Sequence, residues 1–107
     1  MALPAKNRLT KKKDLNLVFK EGSVIRSPFL VIKYIKNQKS ISRFGFIIPI
    51  KVTGNAVTRN RLKRVLSESV QQYISKLRGG YDVAVIVKER GEENLLKSGL
   101  GKCLANI

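Results

Sequence analysis

The 107-residue sequence predicts an α/β (α+β) two-layer sandwich with helices packed against one mixed four-stranded sheet. Two observations favour this class. Apolar residues recur at helical spacing in three segments, and four short runs rich in β-branched and aromatic residues separate them. The predicted order is αβββαβα. The length suits one domain, residues 1–107, with a modest core.

The first helix follows a basic N-terminal extension, residues 1–9. Thr10 is a plausible N-cap, and Gly22 is a plausible stop. The apolar residues between them recur at helical spacing: Leu15, Val18 and Phe19. Lys11–Lys13 occupies the first turn, where cations oppose the helix dipole. Either these lysines serve an external anion or they form a solvated run, and the sequence favours neither.

Three strands should follow the first helix. Ser23–Arg26 precedes Pro28, Phe29–Ile35 is strongly apolar, and Arg43–Ile50 reads as the third strand. A polar turn separates the second and third strands, so we expect them to pair as an antiparallel hairpin. Pro49 should end the ladder or lie on an edge.

The second half should contain a helix, a strand and a helix. A long amphipathic helix runs from Ala56 to Gly79-Gly80, with Asn55 as its N-cap. Its apolar seam is Leu62, Val65, Leu66, Val70, Tyr73 and Leu77. Asp82–Val87 is apolar at nearly every position, as expected for a strand covered on both faces. Glu92–Asn106 is a weaker final helix, with Leu95, Leu96, Leu100 and Leu104 inward.

Charge indicates the class of partner. The chain has 22 Lys and Arg against 7 Asp and Glu, a net charge of +15. Residues 1–64 hold 16 of these cations and 2 of the acids. So uneven a distribution favours a polyanionic partner held by the first part of the chain.

The sequence offers no credible protein catalytic centre. It contains no histidine, and its seven acids are scattered. Its single cysteine, Cys103, excludes an internal disulfide and should be an inert buried thiol. The Gly99–Lys102 segment lacks the spacing of a phosphate loop. Without a membrane-length apolar run or a signal sequence, we expect a cytoplasmic protein with no membrane partner.

The start of the long helix carries the strongest functional signal. Four cations lie within six residues, and the run from Ala56 to Ser67 contains no compensating acid. At 100° per residue, Asn60 and Arg64 fall opposite the apolar seam with Arg61 beside them. Lys63 flanks the seam, and Arg59 lies near its edge. Guanidinium groups clamp phosphates bidentately, so this helix is predicted to bind nucleic acid.

A second surface is possible on the sheet. Phe19 and the Phe29–Ile35 strand could form a groove in which an extended single strand lies against apolar side chains. The same residues could equally be plain core.

The segment Lys51–Arg64 resembles the signature of the protein subunit of bacterial ribonuclease P. The residues that carry the resemblance are Gly54-Asn55-Ala56-Val57, Arg59-Asn60-Arg61 and Lys63-Arg64. Other matching segments cover nearly the whole chain in the family's order: Asn7–Leu9, Asp14–Gly22, the Phe29 strand, Phe44–Phe46 and Tyr81-Asp82.

The resemblance implies several expectations. The family's fold includes an unusual left-handed βαβ crossover. In this family a catalytic RNA subunit removes the 5′ leader of precursor tRNA using Mg²⁺. The resemblance therefore implies that RNA as partner and cofactor, with Mg²⁺ held mainly by the RNA. No obligate protein partner is implied, and no metal-contacting residue of the protein can be named.

The resemblance also implies two sets of contacts. The residues expected to face the catalytic RNA are Asn55, Arg59, Asn60, Arg61, Lys63 and Arg64. Those expected in or near a cleft for the leader are Arg8, Lys12, Leu15, Phe19, Ile32 and Lys51. Leu15 and Ile32 stand where many members place aromatic residues. The alternative reading is a general RNA-binding or RNA-chaperone module with no role in cleavage.

Overall fold

The structure is a computed structural model that describes residues 3–74, 76–77, 80–89 and 91–107. After a short 3₁₀ turn at Ala5–Asn7, the elements are α1 (Lys12–Glu21), β1 (Ser23–Arg26), β2 (Leu30–Lys36), β3 (Arg43–Ile47), α2 (Ile50–Thr53), α3 (Ala56–Ile74), β4 (Tyr81–Val87) and α4 (Glu93–Ala105). The α+β class and the mixed four-stranded sheet are as predicted.

The strand order is β1-β2-β4-β3. β4 pairs antiparallel with β2 and parallel with β3. The predicted β2–β3 hairpin is therefore wrong, because β4 lies between the two strands. β4 is apolar on both faces, and a central position buries both of them.

β3 and β4 are parallel neighbours joined through α2 and α3, which form the crossover of a βαβ unit. The handedness of this crossover stays an expectation from the resemblance.

The two faces of the sheet are covered differently. On the face we call the core face, alternate strand residues such as Ile32, Phe44 and Val85 pack against α3 and α4. α1 lies on the opposite face, which we call the α1 face. There Val18 packs with Leu9 and Ala84 in a smaller cluster.

Several predicted boundaries shift. The N-cap of α1 is Lys11 and not Thr10, and it makes no side-chain capping bond. β3 ends at Ile47 and not at the predicted Ile50, and Pro49 is the N-cap of α2, a short helix that the sequence did not predict. α3 ends at Ile74, and the predicted stop at Gly79 lies outside the described residues.

Residues 3–9 pack against the domain. Leu3 and Leu9 are buried, and the amide of Leu9 donates to the carbonyl of Phe44 over 2.9 Å. The side chain of Asn7 donates to the carbonyl of Ser42 over 2.8 Å. This segment therefore shields part of the open edge of β3.

α4 buries Leu96, Leu100 and Leu104 as predicted, but Leu95 is 49% exposed and not inward. The packing of α4 also accounts for two sequence features. Cys103 is buried as predicted, and burial raises the pKa of its thiol. Gly101 lies in mid-helix, where a Cβ would approach the Tyr73 hydroxyl to 2.5 Å. The glycines near Lys102 therefore belong to a helix, and Gly101 permits the close approach of α3.

Ion pairs of Arg43 connect α1 to the sheet. Arg43 makes a bidentate pair with buried Asp82, with Nε–Oδ1 and Nη2–Oδ2 distances of 2.8 and 2.6 Å. Its Nη1 also donates to Asp14 of α1 over 3.3 Å. The Asp82 hydrogen bond and charge raise the pKa of Arg43. One arginine thus joins β3, β4 and α1.

We predict that Gly45→Ala destabilises the fold by about 1–3 kcal/mol. A Cβ there would lie 2.8 Å from the Leu9 carbonyl oxygen and 3.1 Å from Leu15 Cδ2, so α1 and the N-terminal segment would have to move. Urea unfolding measures the difference. Gly99→Ala is the matched control, because its Cβ would meet only the Ser27 side chain at 3.2 Å or more. It should be neutral or stabilise α4 by up to about 1 kcal/mol. Equal unfolding midpoints for Gly45→Ala and wild type would contradict the prediction.

Candidate nucleic-acid interface

The first turns of α3 present the predicted basic surface. Asn60, Arg61 and Arg64 are exposed, while Arg59 and Lys63 are half-buried at its margins. Leu62, Val65 and Leu66 are buried on the other side of the helix. The helical spacing in the sequence therefore assigned each residue to the correct side. We call the exposed surface, Asn55, Arg59, Asn60, Arg61, Lys63 and Arg64, the basic helix surface.

The start of α3 is fixed by a short turn. Gly54 ends α2 in the left-handed conformation, with φ of 87°, which favours glycine. Asn55 then caps α3 as predicted, and its Oδ1 accepts the amide of Thr58 over 2.7 Å. The turn leaves the N-terminus of a 19-residue helix next to the cations, where its dipole favours an anion.

Arg59 differs from the other cations of this surface. Its Nε donates to the carbonyl of Ile48 over 2.8 Å. The side chain is therefore partly engaged inside the protein, although the sequence predicted a residue that faces RNA.

Arg61 has an acidic partner from another element. Its Nε donates to Oε1 of Glu93, at the start of α4, over 2.8 Å. This bond and the carboxylate charge raise the pKa of Arg61. Both side chains are well exposed, at 60% and 40%. The run from Ala56 to Ser67 contains no acid, but Arg61 has an acidic partner from α4 that only the tertiary structure reveals.

The residues expected at the leader cleft fall into three groups. Phe19 and Leu15 lie on the side of α1 that faces the sheet, and the Lys33 ammonium lies 5.5 Å from the centre of the Phe19 ring. Lys12 and Lys51 are exposed on α1 and α2. Arg8 is half-buried, and its Nε donates to the carbonyl of Leu3 over 2.9 Å.

The placement of Ile32 in this cleft is wrong. Ile32 is 0% exposed and belongs to the core on the other side of the sheet. Since side chains alternate along a strand, its neighbours Val31 and Lys33 lie on the α1 face instead. The resemblance had placed Ile32 in the cleft, but alternation along β2 puts its side chain on the core face.

The register reveals a row of residues that the sequence analysis missed. Val31 pairs with Ile86, and Ile86 pairs with Ile47, so the three cross the sheet on the α1 face. Ile47 and Ile86 are half-buried, whereas Val31 is 5% exposed. We call Ile47, Ile86 and Val31 the apolar row. Alternation in β3 and β4 could have found it once the strand pairing was known.

Cations connect the basic helix surface to the sheet. Lys51 and Lys88 line an open concavity of about 410 Å³ together with Val52, Gly54 and Glu89. Lys51 follows β3 through α2, and Lys88 directly follows β4. A polyanion on α3 could therefore continue past these two lysines towards the apolar row.

The described residues include no group of three or more His, Cys, Asp or Glu positioned to hold a metal ion. Within the same part of the chain, no helix combines the length and apolar character needed to cross a membrane.

Comparison with known proteins identifies the family. The family model "Ribonuclease P" matches residues 3–106. The chain belongs to the ribonuclease P protein family. It is 36% identical over 103 residues to the ribonuclease P protein component of Dehalococcoides mccartyi strain CBDB1, covering 90% of this chain and 83% of the relative. It is 33% identical over 100 residues to that of Clostridioides difficile strain 630, covering 92% and 86%.

Solved structures of the ribonuclease P protein family agree with the fold. The RNase P protein from Thermotoga maritima matches with a TM-score of 0.82 at 29% identity, covering 94% of this chain and 96% of that one. The Staphylococcus aureus RNase P protein at 2.0 Å matches in fold, with a TM-score of 0.84 at 24% identity and coverage of 94% of each chain.

We predict that Glu93→Gln strengthens RNA binding by about two- to five-fold, because it releases Arg61 from an exposed ion pair. Fluorescence titration with a structured RNA measures the affinity. Glu92→Gln is the matched control, since it makes the same charge change and Glu92 forms no ion pair with any described residue. In an Arg61→Gln background, Glu93→Gln should have no effect. An equal gain from Glu92→Gln, or a gain that persists in that background, would contradict the role of the ion pair.

Proposed function

We propose that this protein is the RNA-binding subunit of a bacterial ribonuclease P and docks on the catalytic RNA through the basic helix surface. The observation that carries the proposal is the composition of that surface. Exposed Arg61 and Arg64, the half-buried margins Arg59 and Lys63, and the capped helix N-terminus converge on one face of α3. Arginine forks and a helix N-terminus both suit phosphate oxygens, which dominate the affinity of proteins for structured RNA.

The α1 face supports a second proposed contact, with the single-stranded 5′ leader of precursor tRNA. Half-exposed Phe19 and the apolar row offer a surface on which bases can lie. Lys12, Lys33 and Lys51 would follow the phosphates around it. Ile32 is buried in the core on the other side of the sheet, which removes it from this proposal. The partly exposed positions on the α1 face are Lys33, Ile47 and Ile86.

In this proposal the protein binds RNA and neutralises its phosphate charge. The RNA subunit and its Mg²⁺ cleave the leader. The described residues do not fit a resident Mg²⁺ site. Asp14 and Asp82 both face Arg43, and Glu93 faces Arg61. No protein side chain is therefore given a catalytic role. As a subunit of an enzyme that matures transfer RNA, the protein is proposed to act in the bacterial cytoplasm.

A general RNA-binding or RNA-chaperone module remains the second candidate, because the charge of +15 suits any RNA. Such a module would bind many RNAs with similar affinity. It would not need two surfaces of different chemistry, one of phosphate-binding forks and one of apolar side chains.

Reconstitution with a bacterial ribonuclease P RNA tests the proposal. We expect the wild-type protein to restore cleavage of precursor tRNA at the mature 5′ end at low Mg²⁺. A triple Arg59, Arg61 and Arg64 to Ala variant should lose about 100-fold or more in affinity for the RNA, since each charge-assisted contact is worth about 1.5–3 kcal/mol. A triple Lys76, Lys97 and Lys102 to Ala variant changes the charge equally on other exposed positions.

The control triple should stay within about ten-fold of wild type. Equal losses from both triple variants would show a diffuse charge effect and favour the general module. Binding without restored cleavage by the wild type would favour the same reading, and cleavage by the protein alone would overturn both.

The affinity for the catalytic RNA should also depend steeply on salt. With roughly 6–10 phosphate contacts, we expect it to fall about 10³–10⁵-fold between about 50 and 200 mM salt. Titrations across this range give the slope directly. An affinity insensitive to salt would rule out phosphate contacts as its main source.

A further inference from the structure

The Arg59 side chain joins two parts of the protein that face different surfaces. It extends from the first turns of α3, and its Nε lies 2.8 Å from the carbonyl oxygen of Ile48. Ile48 directly follows the last residue of β3 and is 2% exposed. Arg59 therefore ties the basic helix surface to the end of β3, an edge strand of the sheet.

The Ile48 carbonyl needs this donor. The β3–β4 ladder ends at the Ile47–Ile86 pair, so no strand partner follows it. The next residue, Pro49, has no backbone N–H. Among the described residues, Arg59 Nε supplies the one hydrogen bond found at this oxygen. A buried acceptor that loses its donor is costly, so the bond should hold the backbone in place.

The residues on either side of Ile48 belong to the proposed leader surface. Ile47 lies in the apolar row, and exposed Lys51 follows on α2. The segment is stiff within itself, because the Thr53 hydroxyl contacts the carbonyls of Ile50 and Asn55. Arg59 attaches this stiff segment, residues 48–54, to α3. We call residues 48–54 the linking segment.

We propose that Arg59 is a positioning residue that couples the two RNA-binding surfaces, and this rests on the proposed function. Its Nε holds the linking segment, while its two terminal nitrogens make no hydrogen bond with any described residue. The fixed fork of a guanidinium can donate in both directions at once. A phosphate bound at the terminal nitrogens would then fix the side chain that orients Lys51 and Ile47.

A lysine substitution separates this role from simple charge. Arg59→Lys keeps the cation, but a single ammonium group lacks the fork that spans the Ile48 carbonyl and an outer phosphate. Arg64→Lys is the matched reference, because Arg64 is exposed on the same helix and forms no ion pair with a described residue. Any general cost of exchanging arginine for lysine on this surface appears in both variants.

The first measurement uses the free protein. Hydrogen exchange should show faster exchange of the linking-segment amides, such as those of Val52 and Gly54, in Arg59→Lys than in Arg64→Lys or wild type. Exchange in β4 should be the same in all three proteins. Unchanged exchange in the linking segment would overturn the proposal without reference to any RNA.

The second measurement uses the holoenzyme, reconstituted with a bacterial ribonuclease P RNA. Its readout is the ratio of the affinities for precursor tRNA with and without a leader. Loss of one ordered lysine should lower this ratio by about three- to ten-fold in Arg59→Lys. Arg64→Lys should leave the ratio as in wild type. A residue that only supported the fold would lower stability but leave the ratio unchanged.

Equal ratios in the two lysine variants would overturn the coupling even if exchange is faster. A wild-type holoenzyme that shows no preference for a leader would instead refute the proposed leader surface. In that case the exchange measurement still decides whether Arg59 holds the linking segment.

Discussion

The pair between Arg43 and Asp82 is the interaction on which the arrangement of this protein depends. Asp82 lies in the central strand and is 5% exposed, so its charge must be compensated from within the fold. Arg43 supplies two hydrogen bonds from β3, and the Asn37 side chain supplies a third over 2.8 Å. The same guanidinium reaches Asp14, so the requirements of one buried carboxylate also fix α1 over the sheet.

The two proposed RNA-binding surfaces follow from that arrangement. With α3 and α4 on the core face, the basic side of α3 is left to solvent. With α1 held over one end of the other face, Ile47 and Ile86 stay partly open at the other end. The short connection through α2 brings Lys51 between them. The topology therefore places the basic helix surface and the apolar row next to each other on a small domain.

Periodicity and charge predicted every strand and every helix except the short α2, and they predicted the sides on which the residues of the basic helix lie. They could not predict the strand order, since an apolar run such as Tyr81–Val87 does not specify its neighbours. From this came the wrong β2–β3 hairpin. The wrong face for Ile32 came instead from the resemblance, which placed that position in the cleft. Arg59 and Arg61 were found as cations, but their partners Ile48 and Glu93 lie 11 and 32 residues away in sequence. Such partners are set by tertiary packing alone.

Site-specific photo-crosslinking can show whether the two proposed surfaces hold different RNAs. A photoreactive phenylalanine analogue would replace Asn60 on α3, Phe19 on α1 or exposed Leu95 on α4 in separate proteins. Each would be assembled with the catalytic RNA and a leader-labelled precursor tRNA. We expect position 60 to crosslink to the catalytic RNA, position 19 to the leader and position 95 to neither. Crosslinks from position 60 to the leader, or from position 95 to the catalytic RNA, would contradict this expectation.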